Sequence, residues 1–141
     1  MDGSPDPLRI RLPARPEYVL LARLIVAHVG QAAGFGPEEI YDLKLAVTEA
    51  ATNVIRHAEV ESFDIEYLRH HDAIEIIVTD TGSGFDTQAQ KNVSPEGGIE
   101  GGLGLSVIRN LVDEVVIESA PGKTRLRMMR RAGASVEVSS G

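Results

Sequence analysis

The sequence contains no cysteine and no tryptophan, and aromatic residues make up only 4% of it. Without cysteine, neither a disulfide framework nor thiolate chemistry is possible. With so few aromatic rings, the core must be built from leucine, isoleucine, valine and alanine. The 141 residues are 43% hydrophobic and 25% charged, which is the composition of one ordinary globular domain.

Long apolar runs and an excess of basic residues are also absent. No stretch approaches the roughly 18–20 apolar residues that a membrane-spanning helix needs, and the chain does not begin like a signal peptide. The net charge of −7 disfavours direct contact with nucleic acid, which needs clustered lysine and arginine. We therefore expect a cytoplasmic protein that binds neither membrane nor nucleic acid. A nucleotide bound to so acidic a chain would need a metal ion or the N–H groups of a helix N-terminus.

The spacing of apolar residues predicts the order of helices and strands. Strands are predicted over 8–12, 63–69, 73–79, 115–119 and 124–130, and helices over 17–33, over 37–58 and from 105 onward. Strands grouped as hairpins between helices predict an α+β fold, with one mostly antiparallel sheet and helices on one face. Residues 85–101 lack an apolar period, so we expect a long mobile loop that serves as a lid. A single domain is predicted over 8–131, with a disordered start (1–7) and a flexible tail (132–141).

The second predicted helix carries two polar residues, Glu49 and Asn53, among apolar and small residues. Residues four apart on a helix lie one above the other, with Cβ atoms about 5–6 Å apart, so both side chains can address one ligand. An amide oxygen suits Mg²⁺, and a carboxylate can orient a hydroxyl or take its proton. His57, one helical step further, either lines the same site or interacts with the C-terminal helix dipole.

Two glycine-rich segments follow: DTGSG (80–84) directly after a predicted strand, and GGLGL (101–105) directly before a predicted helix. Asp80 at a strand end can accept a hydrogen bond from the amino group of adenine. Gly82 and Gly84 remove side chains, so that backbone can approach the base and ribose. The glycines of the second segment would let phosphates reach the N–H groups of the helix N-terminus.

A third segment, APGKT (120–124), ends like a phosphate-binding P-loop. That motif requires a glycine five residues before its second glycine, and position 117 is Ile117. We therefore predict a β-turn there.

Taken in this order, Glu49-x-x-x-Asn53, DTGSG and GGLGL resemble the N, G1 and G2 boxes of the GHKL, or Bergerat-fold, ATPases. More narrowly, TEAATNVIRHA and GLGLSVIRNLVDEVVIES are similar to segments of the anti-sigma-factor serine kinases of the RsbW/SpoIIAB type. The likeness covers about residues 8–130. It implies a two-layer α/β sandwich, with a mostly antiparallel mixed sheet and a mobile ATP lid.

The resemblance also implies a reaction, its cofactors and its partners. Glu49 would be the base that orients or deprotonates an attacking serine, Asn53 would bind Mg²⁺, and Asp80 would contact the adenine of ATP. The serine would belong to a small STAS-type anti-anti-sigma protein, and the same kinase would hold a sigma factor inactive and form a homodimer. The remaining cofactor-binding residues implied are His57, Gly82, Gly84, Gly101, Gly102, Leu103, Gly104, Leu105 and Thr124.

One feature departs from the family pattern. Between Lys91 and Arg109 there is no lysine or arginine, and Glu100 stands beside the GGLGL segment. Lys91, Lys123 or an arginine of a partner subunit would have to meet the γ-phosphate instead. The alternative to a kinase is therefore a non-catalytic regulator, in which bound nucleotide only shapes a surface for protein partners.

Overall fold

In the computed structural model, which describes residues 7–81 and 99–133, five strands form one sheet and three α-helices pack on one of its faces. The strands are β1 (Leu8–Pro13), β2 (Ser62–Arg69), β3 (Ala73–Asp80), β4 (Glu114–Ala120) and β5 (Lys123–Arg131). The helices are α1 (Val19–Ala32), preceded by a 3-10 turn (Pro16–Tyr18), α2 (Pro37–His57) and α3 (Ile99–Leu111). The predicted α+β class is confirmed. No helix within the two described ranges is long and apolar enough to cross a membrane.

The strand order is β1-β2-β3-β5-β4, and every pairing among the described strands is antiparallel. Alternate residues of a strand point to the same face, which places Ile74, Ile76 and Val78 of β3 beneath the helices, where they are buried. Tyr67 of β2 joins this core, and its hydroxyl donates a 3.1 Å hydrogen bond to the carbonyl oxygen of Ala22 in α1. This bond attaches the helix layer to the sheet.

The middle helix of the layer is α2, which contacts both α1 and α3. α1 also contacts β2, α2 contacts β3 and β5, and α3 contacts β4. Where α1 meets α2, a Cβ atom added at Gly30 would lie 2.8 Å from Cγ1 of Ile40. Carbon atoms do not approach so closely, so the two helices need a glycine to pack at this distance. Ile40 therefore marks the flank of α2 that faces α1.

The start of α3 differs from the prediction. The sequence suggested a loop to residue 101 and a helix from Leu105, whereas α3 begins at Ile99. The three glycines of the GGLGL segment therefore lie in the first two turns of α3 and not before it. Glycine costs about 1 kcal/mol relative to alanine inside a helix, which is why these residues predicted a loop. Tertiary packing overrides such a preference, and α3 packs against α2.

The turn predicted within APGKT is confirmed. β4 ends at Ala120 and β5 begins at Lys123, so Pro121 and Gly122 form the connection. Gly122 has a φ of +79°, a left-handed conformation that glycine adopts without strain.

Three predicted segments lie wholly or mostly outside the described residues: the start (1–7), the lid (85–101) and the tail (132–141). Within the tail, Gly133 is described, and its backbone N–H donates a 2.6 Å hydrogen bond to the buried carboxylate of Glu39. The other oxygen of Glu39 accepts a 2.8 Å hydrogen bond from the N–H of Gly36. Glu39 thus fastens the chain just after β5 to the first turn of α2.

The face of the sheet opposite the helices carries ion pairs between neighbouring strands. The pairs are Arg9–Glu66, Arg11–Asp64, Arg125–Glu118, Arg127–Glu75 and Arg131–Glu114. An exposed pair contributes between about 0 and 1 kcal/mol. The methylene groups of long charged side chains also cover apolar surface, which accounts for Ile77 being only 5% exposed on this face.

Glu75 is the most buried acid of this ion-paired face. Its carboxylate accepts a 2.8 Å hydrogen bond from Nε2 of His70 and bonds of 2.8 and 2.7 Å from Nε and Nη2 of Arg127. Burial alone would raise the pKa of the Glu75 carboxyl. The hydrogen bonds and charges of His70 and Arg127 outweigh burial and hold this pKa below its ordinary value of 4.5.

Because the pKa of Glu75 is lower in the folded state, its contribution to stability is present above pH 4.5 and is lost as the pH falls through the folded pKa. We expect Glu75→Gln to lower the free energy of unfolding at pH 7 by about 1–3 kcal/mol, because the donors of His70 and Arg127 lose a charged acceptor. The difference from the unsubstituted protein should shrink below pH 4.5. Urea unfolding as a function of pH measures both effects.

Glu118→Gln is the matched control, since Glu118 makes one exposed ion pair with Arg125 on the same face. Its effect should stay below about 0.5 kcal/mol. If the free energies of unfolding of Glu75→Gln and of the unsubstituted protein changed in parallel with pH, the lowered pKa of Glu75 would be contradicted.

Candidate functional site

Three polar residues form a row across β3, β5 and β4 on the face covered by the helices. Asp80 pairs in register with Thr124, and Thr124 pairs with Ser119. Asp80 and Thr124 are buried, at 3% and 7% exposure. The hydroxyl oxygens of Ser119 and Thr124 are 3.5 Å apart. We call the end of the sheet with this row the Asp80 end, and the opposite end, where β3 begins and β5 finishes, the Arg130 end.

The helix α2 runs from the Arg130 end to the Asp80 end. Near its start, the carboxylate of Asp42 lies 3.0 Å from Nη2 of Arg130. At its finish, only four residues connect His57 to Ser62, the first residue of β2, and β2 begins beside the last residues of β3. The second half of α2, which carries the predicted site residues Glu49, Asn53 and His57, therefore lies towards the Asp80 end.

The rotation of α2 about its axis places Glu49 and Asn53 on the side of α3. Ile40 faces α1, and Glu49 follows it by nine residues, a rotation of about 180° at 3.6 residues per turn. Asn53 lies about 40° further round. Since α1 and α3 contact α2 from opposite sides of the layer, both residues lie on the α3 flank. Each is half-buried, whereas His57 at the last turn is exposed.

The first turns of α3 also lie towards the Asp80 end. Two residues after α3 finishes at Leu111, Asp113 donates from its backbone N–H to the carbonyl oxygen of Met129 at 2.8 Å. Met129 is near the Arg130 end, so the helix must start on the other side. The helical turns that contain Gly101, Gly102, Leu103 and Gly104 therefore lie towards the end of the sheet with Asp80, Thr124 and Ser119, and Leu105, which follows them, is half-buried.

The structure therefore brings four of the predicted elements to one end of the molecule: the second half of α2, the end of β3, the start of β5 and the start of α3. Gly82 and Gly84, which directly follow β3 in sequence, lie outside the described residues. Lys123, the first residue of β5, is exposed at the same end. Lys91, the other intrachain candidate cation, is not among the described residues.

The chemistry of these groups fits a nucleotide. The buried carboxylate of Asp80, the buried hydroxyl of Thr124 and the exposed hydroxyl of Ser119 are hydrogen-bond partners of the kind that orient a ligand. Asn53 offers a hard amide oxygen suited to Mg²⁺. A helix N-terminus rich in glycine offers backbone N–H groups to anions. An acid, Glu49, lies one helical turn before Asn53.

Sequence reasoning missed Ser119 as a member of the site. The signal was available, because a turn at Pro121 and Gly122 fixes the pairing of the two strands that it joins. Counting outward from that turn pairs 120 with 123 and 119 with 124, which places Ser119 beside Thr124.

Comparison with known proteins identifies related sequences along nearly the whole chain. Residues 12–130 match the family described as the histidine kinase-like ATPase domain. The chain is 38% identical over 138 residues to the serine-protein kinase RsbW of Bacillus pumilus (strain SAFR-032), covering 88% of this chain and 85% of that protein. It is 41% identical over 122 residues to the serine-protein kinase RsbW of Listeria monocytogenes, covering 78% of each.

Solved structures share the fold at lower sequence identity. The RsbU and RsbW domains of Rv1364c from Mycobacterium tuberculosis match with a TM-score of 0.69 and 19% identity, over 90% of this chain and 32% of that chain. The SiaB-SiaC complex from Pseudomonas aeruginosa matches with a TM-score of 0.62 and 15% identity, over 86% of this chain and 88% of that chain.

Proposed function

The chain belongs to the histidine kinase-like ATPase domain family, among the RsbW serine-protein kinases, and we propose that its kinase reaction takes place between α2 and α3 at the Asp80 end. ATP with Mg²⁺ is the proposed phosphoryl donor, and a serine of a small STAS-type anti-anti-sigma protein is the acceptor. The observation that carries this proposal is the convergence of Glu49, Asn53, Asp80, Thr124 and the start of α3 at one end of the fold.

Each group has a proposed role. Asp80 accepts a hydrogen bond from the exocyclic amine of adenine, and Thr124 beside it supports the nucleotide. Asn53 would hold Mg²⁺, which would supply positive charge against the phosphates. The free backbone N–H groups of the first turn of α3, which includes Gly101 and Gly102, receive the phosphates.

Glu49 acts on the acceptor serine. The serine oxygen forms a bond to the γ-phosphorus while the bond between the γ-phosphorus and the β,γ-bridging oxygen breaks, and ADP leaves. Glu49 orients the serine hydroxyl and takes its proton. Since phosphoryl transfer depends mainly on positioning and charge neutralisation, an acid one turn from the metal-binding amide is placed to serve this step.

The proposed regulatory setting is that of an anti-sigma factor. We infer that the protein sequesters a sigma factor, releases it when the anti-anti-sigma partner competes, and works as a homodimer in the cytoplasm. The names of the relatives, serine-protein kinase RsbW, support this setting. The acidic net charge of −7 suits protein partners better than direct contact with nucleic acid.

A non-catalytic regulator is the second candidate, favoured by Glu100 and by the absence of lysine or arginine between Lys91 and Arg109. It would bind nucleotide without transferring phosphate. Titration with labelled ATP and Mg²⁺, followed by addition of the anti-anti-sigma protein, separates the two. Label on a serine of the partner supports the kinase, and binding without transfer supports the regulator.

We expect Asn53→Ala to weaken binding of Mg-ATP by at least about tenfold, equivalent to about 1.4 kcal/mol. Binding of ATP in the presence of EDTA should change much less, because only the metal loses a ligand. Calorimetric titration with and without Mg²⁺ measures the difference. Asn110→Ala is the matched control, since Asn110 is exposed on α3 and bonds only the carbonyl oxygen of Ser106 among the contacts described. Equal weakening of ATP binding with and without Mg²⁺ would show that Asn53 does not bind the metal.

Glu49→Ala should lower the rate of phosphoryl transfer by about 10²–10⁴-fold and leave ATP binding nearly unchanged. Single-turnover transfer of labelled phosphate to the partner protein measures the rate. Glu38→Ala, an exposed acid in the first turn of the same helix, is expected to transfer normally. Normal transfer by Glu49→Ala would disprove its role as the base.

A further inference from the structure

We propose that Arg130 positions the two helices that flank the candidate site, acting from the opposite end of the sheet. The proposal rests on the proposed function for the location of the site. The contacts themselves do not depend on that function: the guanidinium of Arg130 contacts both α2 and the connection that follows α3.

Arg130 is paired with two acids from different elements. Its Nη2 lies 3.0 Å from Oδ2 of Asp42 in α2, and its Nη1 lies 3.8 Å from Oδ2 of Asp113, between α3 and β4. The same oxygen of Asp113 accepts a 2.7 Å hydrogen bond from the backbone N–H of Arg131. The side chains of Arg130 and Asp42 are only 20% and 25% exposed. We call Arg130, Asp42 and Asp113 the Arg130 clamp.

Asp42 occupies the same stripe of α2 as Glu49, the proposed base, and Asn53, the proposed metal ligand. Glu49 follows it by seven residues and Asn53 by eleven, which at 3.6 residues per turn is close to two and three full turns. The Asp42–Arg130 pair therefore fixes the rotation of α2 on the very flank that carries Glu49 and Asn53. A rotation of about 10° would move a side-chain atom about 5 Å from the helix axis by roughly 1 Å. A misplacement of that size can lower a reaction rate by about a hundredfold.

The second contact of the clamp sets the separation between the helices. Asp113 follows α3 by two residues, so the guanidinium between Asp42 and Asp113 draws the start of α2 and the end of α3 towards one point. A planar guanidinium can face two acids at once, here Asp42 at hydrogen-bond distance (3.0 Å) and Asp113 at ion-pair distance (3.8 Å), which a compact ammonium group does less well. Without this cation the two carboxylates would repel each other in a partly buried site, and the helices would separate. The nearby carboxylate of Glu39 already accepts hydrogen bonds from Gly36 and Gly133.

The test measures the spacing of α2 and α3 directly. Because the sequence has no cysteine, spin labels can be attached at Tyr41→Cys on α2 and Arg109→Cys on α3, both exposed positions towards the Arg130 end. Pulsed electron paramagnetic resonance without nucleotide gives the distance distribution. Arg130→Met in this labelled chain removes the charge and retains much of the side-chain length. Arg125→Met is the matched control, because Arg125 lies on the same strand next to Thr124 but forms its ion pair with Glu118 on the opposite face.

We expect Arg130→Met to lengthen and broaden the distance distribution, while Arg125→Met leaves it unchanged. In the unlabelled chain, Arg130→Met should weaken Mg-ATP binding about tenfold and slow phosphoryl transfer about a hundredfold. Arg130→Lys should restore thermal stability more fully than transfer, because one ammonium group engages both acids less well. An unchanged distance distribution in Arg130→Met would overturn the proposal, whatever happens to its thermal stability.

Should Arg130→Met fail to fold, Asp42→Asn tests the same inference. It retains the contact of Arg130 with Asp113 and weakens only the link to α2, so a broadened distribution supports the clamp and an unchanged one contradicts it. Failure of the unsubstituted protein to bind ATP would disprove the proposed function. The Arg130 clamp would still be tested by the distances between the spin labels, which are measured without nucleotide.

Discussion

The close contact between α1 and α2 is the constraint on which the candidate site depends. Gly30 lets Ile40 approach so closely that no larger residue would fit without movement, and this contact determines which flank of α2 faces α1. The opposite flank, with Glu49 and Asn53, is thereby turned towards α3. A polar pair on a central helix can form a site only when its flank borders a second element and not the apolar core. Here that flank is set by Gly30 of α1, which contacts α2 at Ile40, about two and a half turns before Glu49.

Much of this arrangement was predictable from sequence. The strand and helix spans, the turn at Pro121 and Gly122, and the position of Glu49 and Asn53 on one flank of α2 follow from periodicities of two and 3.6 residues and from glycine at a left-handed turn. The start of α3 could not be predicted, because three glycines locally favour a loop and only packing against α2 supports a helix there. The Arg130 clamp could not be predicted either, because Asp42 and Arg130 are 88 positions apart and no local sequence pattern relates them.

The two faces of the sheet follow different physical rules. Among the described strand residues beneath the helices, the fully buried side chains are apolar until the last row, where Asp80 and Thr124 introduce polar groups that can serve a ligand. On the other face, arginines and acids alternate between strands and satisfy one another, with Glu75 as the buried member. The chemical groups of the proposed site therefore lie on one face of the sheet and at one end of it. The ion pairs of the opposite face connect neighbouring strands and do not line the site.

The bond between Gly133 and Glu39 has a practical consequence for protein engineering. It holds the chain, as it leaves β5, at the start of α2, which is the end of the molecule remote from Asp80. A fluorescent reporter or affinity module joined beyond Gly133 would thus be tethered away from the row of Asp80, Thr124 and Ser119. A module inserted at the hairpin of Pro121 and Gly122 would stand directly beside it.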